Sequence, residues 1–158
     1  MMTLMPPPSP LLQRVTADRI IDLRYTVLRA GFPRETAHFD GDDADTTLHV
    51  AAVLGDHVVG CATYMRQPYL DEPAYRLRGM ATDPTWRGTG LGRKLLDLTD
   101  TLMQSDPIRL RWCNARVPAV GFYLKQGWLV VSDEFDIPTA GPHHRMIRRV
   151  PPRADSGW

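Results

Sequence analysis

The chain has 158 residues, of which 43% are hydrophobic, so its size and composition are those of one globular domain with a single core. Its 19 basic and 18 acidic residues leave a net charge of +1, which provides no overall electrostatic attraction for nucleic acid or an anionic membrane. Any anion-binding site must therefore be local.

The two ends of the chain differ in composition from the rest. Residues 1–10 are rich in Met and Pro and lack the basic and apolar segments of a secretory signal, and residues 151–158 begin with two prolines. No stretch of the sequence approaches the roughly 18 apolar residues of a membrane span. We therefore expect a folded domain at residues 11–150, flexible tails on both sides and a cytoplasmic location.

The two cysteines, Cys61 and Cys113, are too few for a disulfide framework and lie in neither a CxxC nor a zinc-binding spacing. We expect both to be reduced and packed in strands. The adjacent His143 and His144 make a poor metal site, because neighbouring residues of a strand point to opposite faces. We therefore expect no metal ion.

The first predicted elements are a strand and a helix. The sequence begins as a short strand and changes at Thr16 to a helical pattern with Ile20, Leu23 and Val27 on one face. Residues 32–46 have no sustained period, so we interpret them as a long connection, a kind of segment that often borders a site.

Three consecutive strands are predicted next. The β-branched runs at residues 48–54 and 57–65 flank Gly55-Asp56, a dipeptide suited to a two-residue hairpin turn. The letters AYRLRGMAT at residues 74–82 predict a third strand. Together these segments indicate an antiparallel meander.

The second half of the chain predicts two helices and three strands. Leu91, Leu95, Leu98 and Leu102 recur at helical spacing, which predicts a helix with one face on the sheet. After it come a strand (IRLRWCNA), a short helix (PAVGFYLKQG) and two closing strands (WLVVSDEFDI and HHRMIRRV). This order predicts a single-domain α/β fold with a mixed, mostly antiparallel sheet flanked by helices, not a doubly wound parallel sheet.

The segment TDPTWRGTGLGRKLL places Gly88, Gly90 and Gly92 where a helix begins. The first amides of a helix lack intrahelical partners and carry the positive end of its dipole, and glycine lets a ligand approach the backbone. The pattern therefore favours an anion with several phosphates. Neither the GxxxxGK string of a P-loop nor the GxGxxG string of a Rossmann fold occurs here.

The glycine-rich turn resembles the acyl-CoA site of the GCN5-related N-acetyltransferase (GNAT) family. The family signature is Arg or Gln, two residues, Gly, one residue, and Gly or Ala, and Arg87, Gly90 and Gly92 match it. The preceding MATDPTW resembles the family's lead-in. Further on, NARVPAVGFYLKQGW resembles a second signature, in which an Asn ends the fifth strand and a helix with a Phe-Tyr pair ends at Gly and an aromatic residue. The resemblance covers nearly the whole folded chain.

The resemblance implies a GNAT-like acyl-CoA N-acyltransferase fold with acetyl-CoA as co-substrate. It implies that amides from Arg87 to Arg93 hold the pyrophosphate, that the backbone of Met80 and Thr82 pairs with pantetheine, and that Asn114 faces the pantetheine arm. Lys94 and the arginine before it either meet a further phosphate or are solvated charges. The residues assigned to cofactor binding are Met80, Ala81, Thr82, Arg87, Gly88, Thr89, Gly90, Leu91, Gly92, Arg93, Asn114 and Phe122.

Acyl transfer from a thioester to an amine needs a neutral amine, a donor at the carbonyl oxygen and a proton for the departing thiolate. Tyr123 is the candidate acid, because a phenol with a pKa of about 10 can protonate a thiolate whose conjugate acid lies near 8.5. The resembling family often has its tyrosine acid at this position. The alternative is a core tyrosine with a satisfied hydroxyl. A backbone amide near Met80 or Ala81 is the family's usual donor to the carbonyl.

The general base is less determined by the sequence. We place His144 and Glu134 first, because the last hairpin of this family usually overhangs the acceptor end of the site, and ordered water is the alternative. The other candidates are Asp71, Glu72, Asp136 and the remaining histidines. A covalent route through Cys113 or Cys61 lacks a context that lowers a thiol pKa, so we favour direct attack in a ternary complex.

The sequence therefore predicts an N-acetyltransferase that transfers an acetyl group from acetyl-CoA to a primary amine of a small molecule or a peptide. The alternative is a non-catalytic acyl-CoA-binding module, which would need no acid. We expect a small-molecule amine as partner, with no nucleic acid and no membrane, and a homodimer through an edge strand is compatible with the pattern. The acidic DGDDAD segment either attracts a cationic amine or is only a solvated loop.

Overall fold

The structure is a computed structural model that describes residues 8–151. Most of the tails expected at residues 1–10 and 151–158 lies outside this range. Within it the strands are β1 (Leu11–Val15), β2 (Leu48–Leu54), β3 (His57–Arg66), β4 (Tyr75–Thr82), β5 (Leu110–Arg116), β6 (Leu129–Val130), β7 (Phe135–Ile137) and β8 (Gly141–Arg149). The helices are α1 (Ile21–Arg24), which continues as a π-helical turn (Tyr25–Arg29), α2 (Leu91–Leu102) and α3 (Val120–Lys125). Short 3-10 turns cover Ala17–Arg19, Arg34–Ala37, Pro84–Trp86 and Val117–Ala119.

The described strands form one sheet in the order β1-β2-β3-β4-β5-β8-β6, and β7 also pairs with β8. The β4–β5 pair is parallel and the other pairs are antiparallel. Leu54 pairs with His57, which closes the two-residue hairpin predicted at Gly55-Asp56. The sheet confirms the predicted single-domain mixed architecture.

The first helical segment and α2 pack on opposite faces of the sheet, as the alternation of β2 requires. Val50 belongs to the main apolar core with Leu95 of α2, whereas Ala51 packs with Ile20 and Leu23. The predicted first helix therefore buries its expected face, although it consists of a 3-10 turn, α1 and the π-helical turn. None of the helices in residues 8–151 is long and apolar enough to cross a membrane.

The inward face of α2 is rotated relative to the prediction. Leu91 and Leu95 are buried as expected, but Leu102 is 45% exposed, whereas Leu96 and Thr99 are buried. At about 100° per residue, the buried side chains centre between positions 95 and 99. Position 102 lies between Leu91 and Leu95 around the helix axis, so the exposure of Leu102 goes with its place as the last residue of α2.

The segment predicted as one strand at residues 128–137 forms two, β6 and β7, which pair with different parts of β8. Between them the hydroxyl of Ser132 accepts the amide hydrogen of Arg145 at 2.8 Å. Because a side-chain oxygen replaces a backbone acceptor at this point, the chain bends between the two strands.

β4 and β5 separate soon after they meet. Their parallel pairing covers only two residue pairs, of which Tyr75 with Arg111 is the first. β4 then bulges, and Gly79 adopts a φ of +61°. A Cβ at Gly79 would lie 2.7 Å from Nε of Arg24, so glycine is needed there both for the backbone and for space. The result is a gap between β4 and β5.

Candidate active site

A cavity of about 730 Å³ occupies the gap between β4 and β5. Residues 76–82 form one wall, residues 113–116 form another, and the glycine-rich turn with the start of α2 closes one end. The π-helical turn, Phe39, the start of α3 and the β7–β8 hairpin complete the boundary. The segments that carry both sequence signatures therefore meet at one cavity.

The turn before α2 has a backbone that glycine permits. Gly88 and Gly90 have φ angles of +77° and +82°, a region that residues with a Cβ rarely adopt. The Gly90 carbonyl accepts the first intrahelical hydrogen bond, from the Lys94 amide at 3.1 Å. The amides of the first turn of α2 therefore lack intrahelical partners beside the cavity, at the positive end of the helix dipole.

At Gly92 a glycine is needed for close packing and not for a left-handed backbone. A Cβ at this position would lie 3.1 Å from Cζ of Phe122 and 3.3 Å from Cε of Met80. Both neighbours line the cavity, so a side chain at position 92 would push them inward. The sequence pattern does not distinguish this glycine from the other two, whereas the structure does.

Most residues assigned to cofactor binding line the cavity, namely Met80, Ala81, Thr82, Arg87, Gly88, Gly90, Leu91, Gly92, Asn114 and Phe122. Thr89 and Arg93 do not. The Thr89 hydroxyl donates to the Trp86 carbonyl at 2.6 Å, and Nε of Arg93 lies 3.8 Å from Oδ2 of Asp97 on the exposed surface of α2. Lys94 is also exposed and lies outside the lining.

Tyr123 of α3 is buried and lines the cavity. Its hydroxyl donates to Sδ of Met80 on β4 at 3.6 Å, and its ring packs edge-on against Phe122 and Trp128. Burial, together with the nearby Cys113, raises the pKa of Tyr123 well above its ordinary value of 10.0. The phenol is therefore protonated at neutral pH, and a thioether sulfur, a weak acceptor, is its only hydrogen-bond partner in the described residues.

Asn114 lies two residues before the end of β5 and lines the cavity. Its Oδ1 accepts a hydrogen bond from Nε of Arg145 at 3.1 Å. The guanidinium of Arg145 also lies over the rings of Trp112 and Phe135, at 5.1 and 5.7 Å from their centres. Because a guanidinium only donates, this contact orients the amide and leaves the Asn114 NH₂ group free to donate.

His143 of β8 is buried and lines the cavity. Its ring stacks on Phe135 with centres 6.2 Å apart, and its Nδ1 lies 2.7 Å from the Gly141 carbonyl oxygen. A carbonyl only accepts, so Nδ1 carries a hydrogen and Nε2 carries the lone pair in the neutral ring. This histidine therefore has the form that a proton acceptor needs.

Neither side chain ranked first as the base lines the cavity. Nδ1 of His144 lies 3.1 Å from the Ser132 carbonyl oxygen, and Glu134 is exposed in the bend between β6 and β7. The other acidic candidates, Asp71, Glu72 and Asp136, also lie outside the lining. The alternation of β8 is visible in the sequence, but its register, which pairs His143 with Arg116 of β5, is not.

The sequence interpretation also left four cavity-lining arginines unassigned, namely Arg29, Arg76, Arg78 and Arg116. Two of them, Arg76 and Arg78, alternate along β4 with the buried Tyr75 and Leu77. Such alternation is typical of a strand with one solvated face, so the sequence pattern does not indicate that these arginines line a cavity.

A buried ion pair fixes Phe39 at the cavity wall. Arg24 donates to both carboxylate oxygens of Asp42, at 2.7 and 2.9 Å, and to the Thr63 hydroxyl at 2.8 Å. Nε2 of His49 lies 2.8 Å from the Asp42 carbonyl oxygen, which only accepts, so in the neutral ring Nδ1 accepts from the Thr63 hydroxyl at 2.8 Å. The guanidinium carbon of Arg24 lies 4.2 Å from the centre of the Phe39 ring. Asp42 belongs to the acidic DGDDAD segment, so this carboxylate is neither solvated nor available to a ligand.

Two solved structures share this fold. An aminoglycoside 6'-N-acetyltransferase complexed with coenzyme A superposes with a TM-score of 0.73 at 15% identity, over 92% of this chain and 99% of that one. The ElaA protein of Escherichia coli superposes with a TM-score of 0.74 at 18% identity, over 88% and 99% of the two chains.

Sequence similarity identifies the family. The chain is 30% identical over 139 residues to an uncharacterised N-acetyltransferase of Bacillus subtilis, YitI, with 86% of this chain and 93% of the relative covered. The sequence model of the Acetyltransferase (GNAT) family matches residues 13–128, most of the folded part. The chain therefore belongs to the GNAT family and is an acetyl-CoA-dependent acetyltransferase.

Proposed function

We propose that this enzyme acetylates a primary amine of a small molecule by direct attack of the amine on acetyl-CoA in a ternary complex. The observation that carries the proposal is a single cavity bounded by the start of α2, a buried phenol and a histidine. These features come from α2, α3 and β8, and the folded chain brings them together.

The gap between β4 and β5 suits a long cofactor arm with phosphates at one end. β4 pairs with β5 only near Tyr75, so the backbone of residues 80–82 has no ladder partner on its β5 side. The amide groups of pantetheine would find hydrogen-bonding partners along this free edge. The phosphates would lie at Arg87 and the first amides of α2, and acetyl-CoA would supply the thioester.

Tyr123 would provide the proton that the departing thiolate needs. A phenol with a raised pKa is a weaker acid, but the same surroundings make a thiolate a stronger base. Burial raises the pKa of the neighbouring Cys113 thiol to about 12. Because burial shifts both groups in the same direction, the transfer from the phenol oxygen to sulfur remains feasible.

The cysteines do not favour a covalent acyl-enzyme. Burial raises the pKa of both Cys61 and Cys113 to about 12, so about one thiol in 10⁵ is ionised at neutral pH. Cys61 also donates to the Gly79 carbonyl at 3.4 Å and lies outside the cavity lining. Direct attack by the amine is therefore the simpler route.

Acetyl-CoA binding tests the proposed function. The purified protein is expected to bind acetyl-CoA with micromolar affinity and NAD much more weakly, because NAD has no pantetheine arm. Gly92→Ala is expected to weaken acetyl-CoA binding about tenfold, because the added Cβ displaces Phe122 and Met80 into the cavity. Isothermal titration calorimetry measures these affinities.

The matched control is Gly121→Ala, a glycine of α3 whose added Cβ would meet nothing within 4 Å. This variant is expected to bind acetyl-CoA like the wild type. Equal affinity for NAD, or no binding of either ligand, would contradict the proposed function. An equal loss of acetyl-CoA affinity in both variants would mean that the close packing of Gly92 does not explain the effect. The other grounds for the proposed function would not be affected.

His143 is proposed as the group that removes the proton of the attacking amine. His143→Gln is expected to lower kcat/KM by about 10², because the lone pair on Nε2 is lost while the cavity keeps a side chain of similar size. The rate of free thiol release measures the effect. His144→Gln is the control, since it changes the adjacent ring outside the cavity, and its kcat/KM should stay near the wild-type value. The assignment fails if the two variants behave alike.

A further inference from the structure

The side of the cavity next to the first helical segment and Phe39 is strongly cationic. The four arginines Arg29, Arg76, Arg78 and Arg116 line it, in addition to Arg87 at the turn. Within residues 8–151 no aspartate or glutamate lines the cavity. The net charge of the whole chain is only +1, so this concentration of positive charge is a local feature of the site.

Aromatic rings support three of these four arginines. The guanidinium carbons of Arg78 and Arg29 lie 4.2 and 5.8 Å from the centre of the Phe39 ring, and that of Arg76 lies 4.9 Å from the Trp112 ring. In the described part of the chain, none of the four forms a salt bridge. Contacts with a ring face hold a guanidinium in place while its N–H groups remain available at the edge.

The hydrogen bonds that these side chains make within the described residues are few and long. Arg76 reaches Oε1 of Gln67 at 3.4 Å, and Arg116 reaches the Leu28 carbonyl at 3.4 Å. The Nε atoms of Arg29 and Arg76 are buried and have no partner there. Buried donors in this state cost stability unless a ligand satisfies them.

The crowding of like charges affects the arginines themselves. Burial, followed by the charge of neighbouring arginines, lowers the pKa of Arg76 to about 10. The same two causes lower the pKa of Arg78 and of Arg116. The side chains are still charged at neutral pH, so the repulsion persists in the empty cavity. An oxyanion among them would accept their hydrogen bonds and offset that repulsion.

Of the arginines around Phe39, Arg24 alone has a carboxylate partner among residues 8–151. Arg24 also lies over this ring, and it forms a bidentate ion pair with the buried Asp42. Arg24 does not line the cavity, whereas Arg29 and Arg78 do. Asp42 thus neutralises Arg24, which lies outside the cavity. Arg29 and Arg78, which line the cavity, can instead bind an external anion.

The phosphates of acetyl-CoA are not that anion. Arg78 alternates along β4 with Tyr75 and Leu77, which pack in the core with α2, so Arg78 lies on the other face of the sheet from α2. The glycine-rich turn leads into α2. In contrast, Arg116 pairs in register with His143, the proposed base, so the arginines surround the place where an acceptor amine would lose its proton.

We propose that the acceptor is an amine that also carries an oxyanion, a carboxylate or a phosphate, which binds to Arg78 and its neighbours while the amine faces His143. This inference rests on the proposed acetyltransferase function and narrows its acceptor class. The same charge disfavours polycationic acceptors, so it separates this enzyme from the aminoglycoside acetyltransferase that shares its fold.

Matched pairs of amines test the inference. The α-amino acids are compared with their carboxamides, ethanolamine phosphate with ethanolamine, and kanamycin serves as a polycation. At least one anionic amine is expected to give a kcat/KM at least tenfold above that of its neutral counterpart. The amino acid pairs report on a carboxylate and the ethanolamine pair on a phosphate. A preference for neutral amines or for kanamycin would overturn the inference.

Arg78→Gln tests the role of the arginines with the preferred acceptor. It is expected to raise the KM of that acceptor at least tenfold, with a smaller change in kcat and an unchanged Kd of acetyl-CoA. Arg116→Gln should also raise the KM of that acceptor. Because Arg116 does not contact Phe39, this second variant tests the inference even if Arg78→Gln disturbs the packing around Phe39. Arg14→Gln, on the exposed face of β1, is the control and should leave KM unchanged.

Two further outcomes separate this inference from the proposed function. Loss of acetyl-CoA binding in the calorimetric experiment would refute the function and the inference together. If acetyl-CoA binds but no amine of the panel reacts, thermal shifts of the acetyl-CoA complex decide. A rise in Tm with the anionic member of a pair, absent in Arg78→Gln, would support the inference, and equal shifts for both members would refute it.

Discussion

Tyr123→Phe is expected to lower kcat by about 10² to 10⁴ while leaving the Kd of acetyl-CoA near the wild-type value, because general acid catalysis contributes about that factor. The substitution removes the hydroxyl that contacts Met80 and keeps the ring that packs against Phe122 and Trp128. Free thiol release at saturating acetyl-CoA and acceptor measures kcat. Since the pKa of Tyr123 is raised well above 10.0, loss of its proton should not reduce kcat between about pH 7 and 9.

Tyr64→Phe is the matched control for this experiment. Tyr64 is also a fully buried phenol, its hydroxyl has no hydrogen-bond partner in the described residues, and it lies outside the cavity lining. Removing an unsatisfied hydroxyl should be neutral or stabilising, so kcat should not change. Undiminished turnover in Tyr123→Phe would remove Tyr123 as the general acid, and another group or ordered water would then have to protonate the thiolate.

Local sequence patterns predicted the features of the fold that short-range chemistry determines. The hairpin at Gly55-Asp56 and the start of α2 at the glycine-rich turn were both predicted from short segments of sequence. The break between β6 and β7 could not be predicted, because it depends on the Ser132 hydroxyl meeting an amide of another strand. The order of elements was sufficient to predict the mixed sheet, since that order leaves few topologies.

The part of the candidate site that one backbone segment forms could be predicted from the sequence. The part where side chains from distant segments meet could not. The glycine-rich turn is one continuous segment, and its composition alone favours an anion as its ligand. The acceptor end instead combines Arg78 of β4, Arg116 of β5, Arg29 of the π-helical turn and His143 of β8. Each belongs to an ordinary polar position of its own element. These positions line one cavity because β4 and β5 separate.

Arg24→Met is expected to lower the free energy of unfolding by about 3 to 5 kcal/mol, because it leaves the carboxylate of Asp42 buried without its partner. Both side chains are fully buried, at 0% exposure. Methionine retains most of the apolar stem beside Phe39, so the loss reports mainly on the charge. Urea denaturation at pH 7 measures the change.

The deficit of Arg24→Met should diminish in acid. Burial alone would raise the pKa of Asp42, but hydrogen bonds from Arg24 and from the Phe39 amide lower it below its ordinary value. A lowered folded-state pKa means that the pair stabilises the fold fully above the unfolded carboxyl pKa of about 3.9. That contribution is lost as the pH falls through the folded value. The unfolding free energies of wild type and variant should therefore converge below about pH 4.

The ion pair between Arg34 and Asp22 provides a control in the same chain. Its side chains are 58% and 84% exposed, so Arg34→Met should cost at most about 1 kcal/mol. The double variant Arg24→Met with Asp42→Asn should recover part of the loss, because neither charge then remains buried. If Arg24→Met cost no more than Arg34→Met, the pair would not be buried as described. Phe39 would then lack its fixed support, and the arginine-lined side of the cavity would lose its basis.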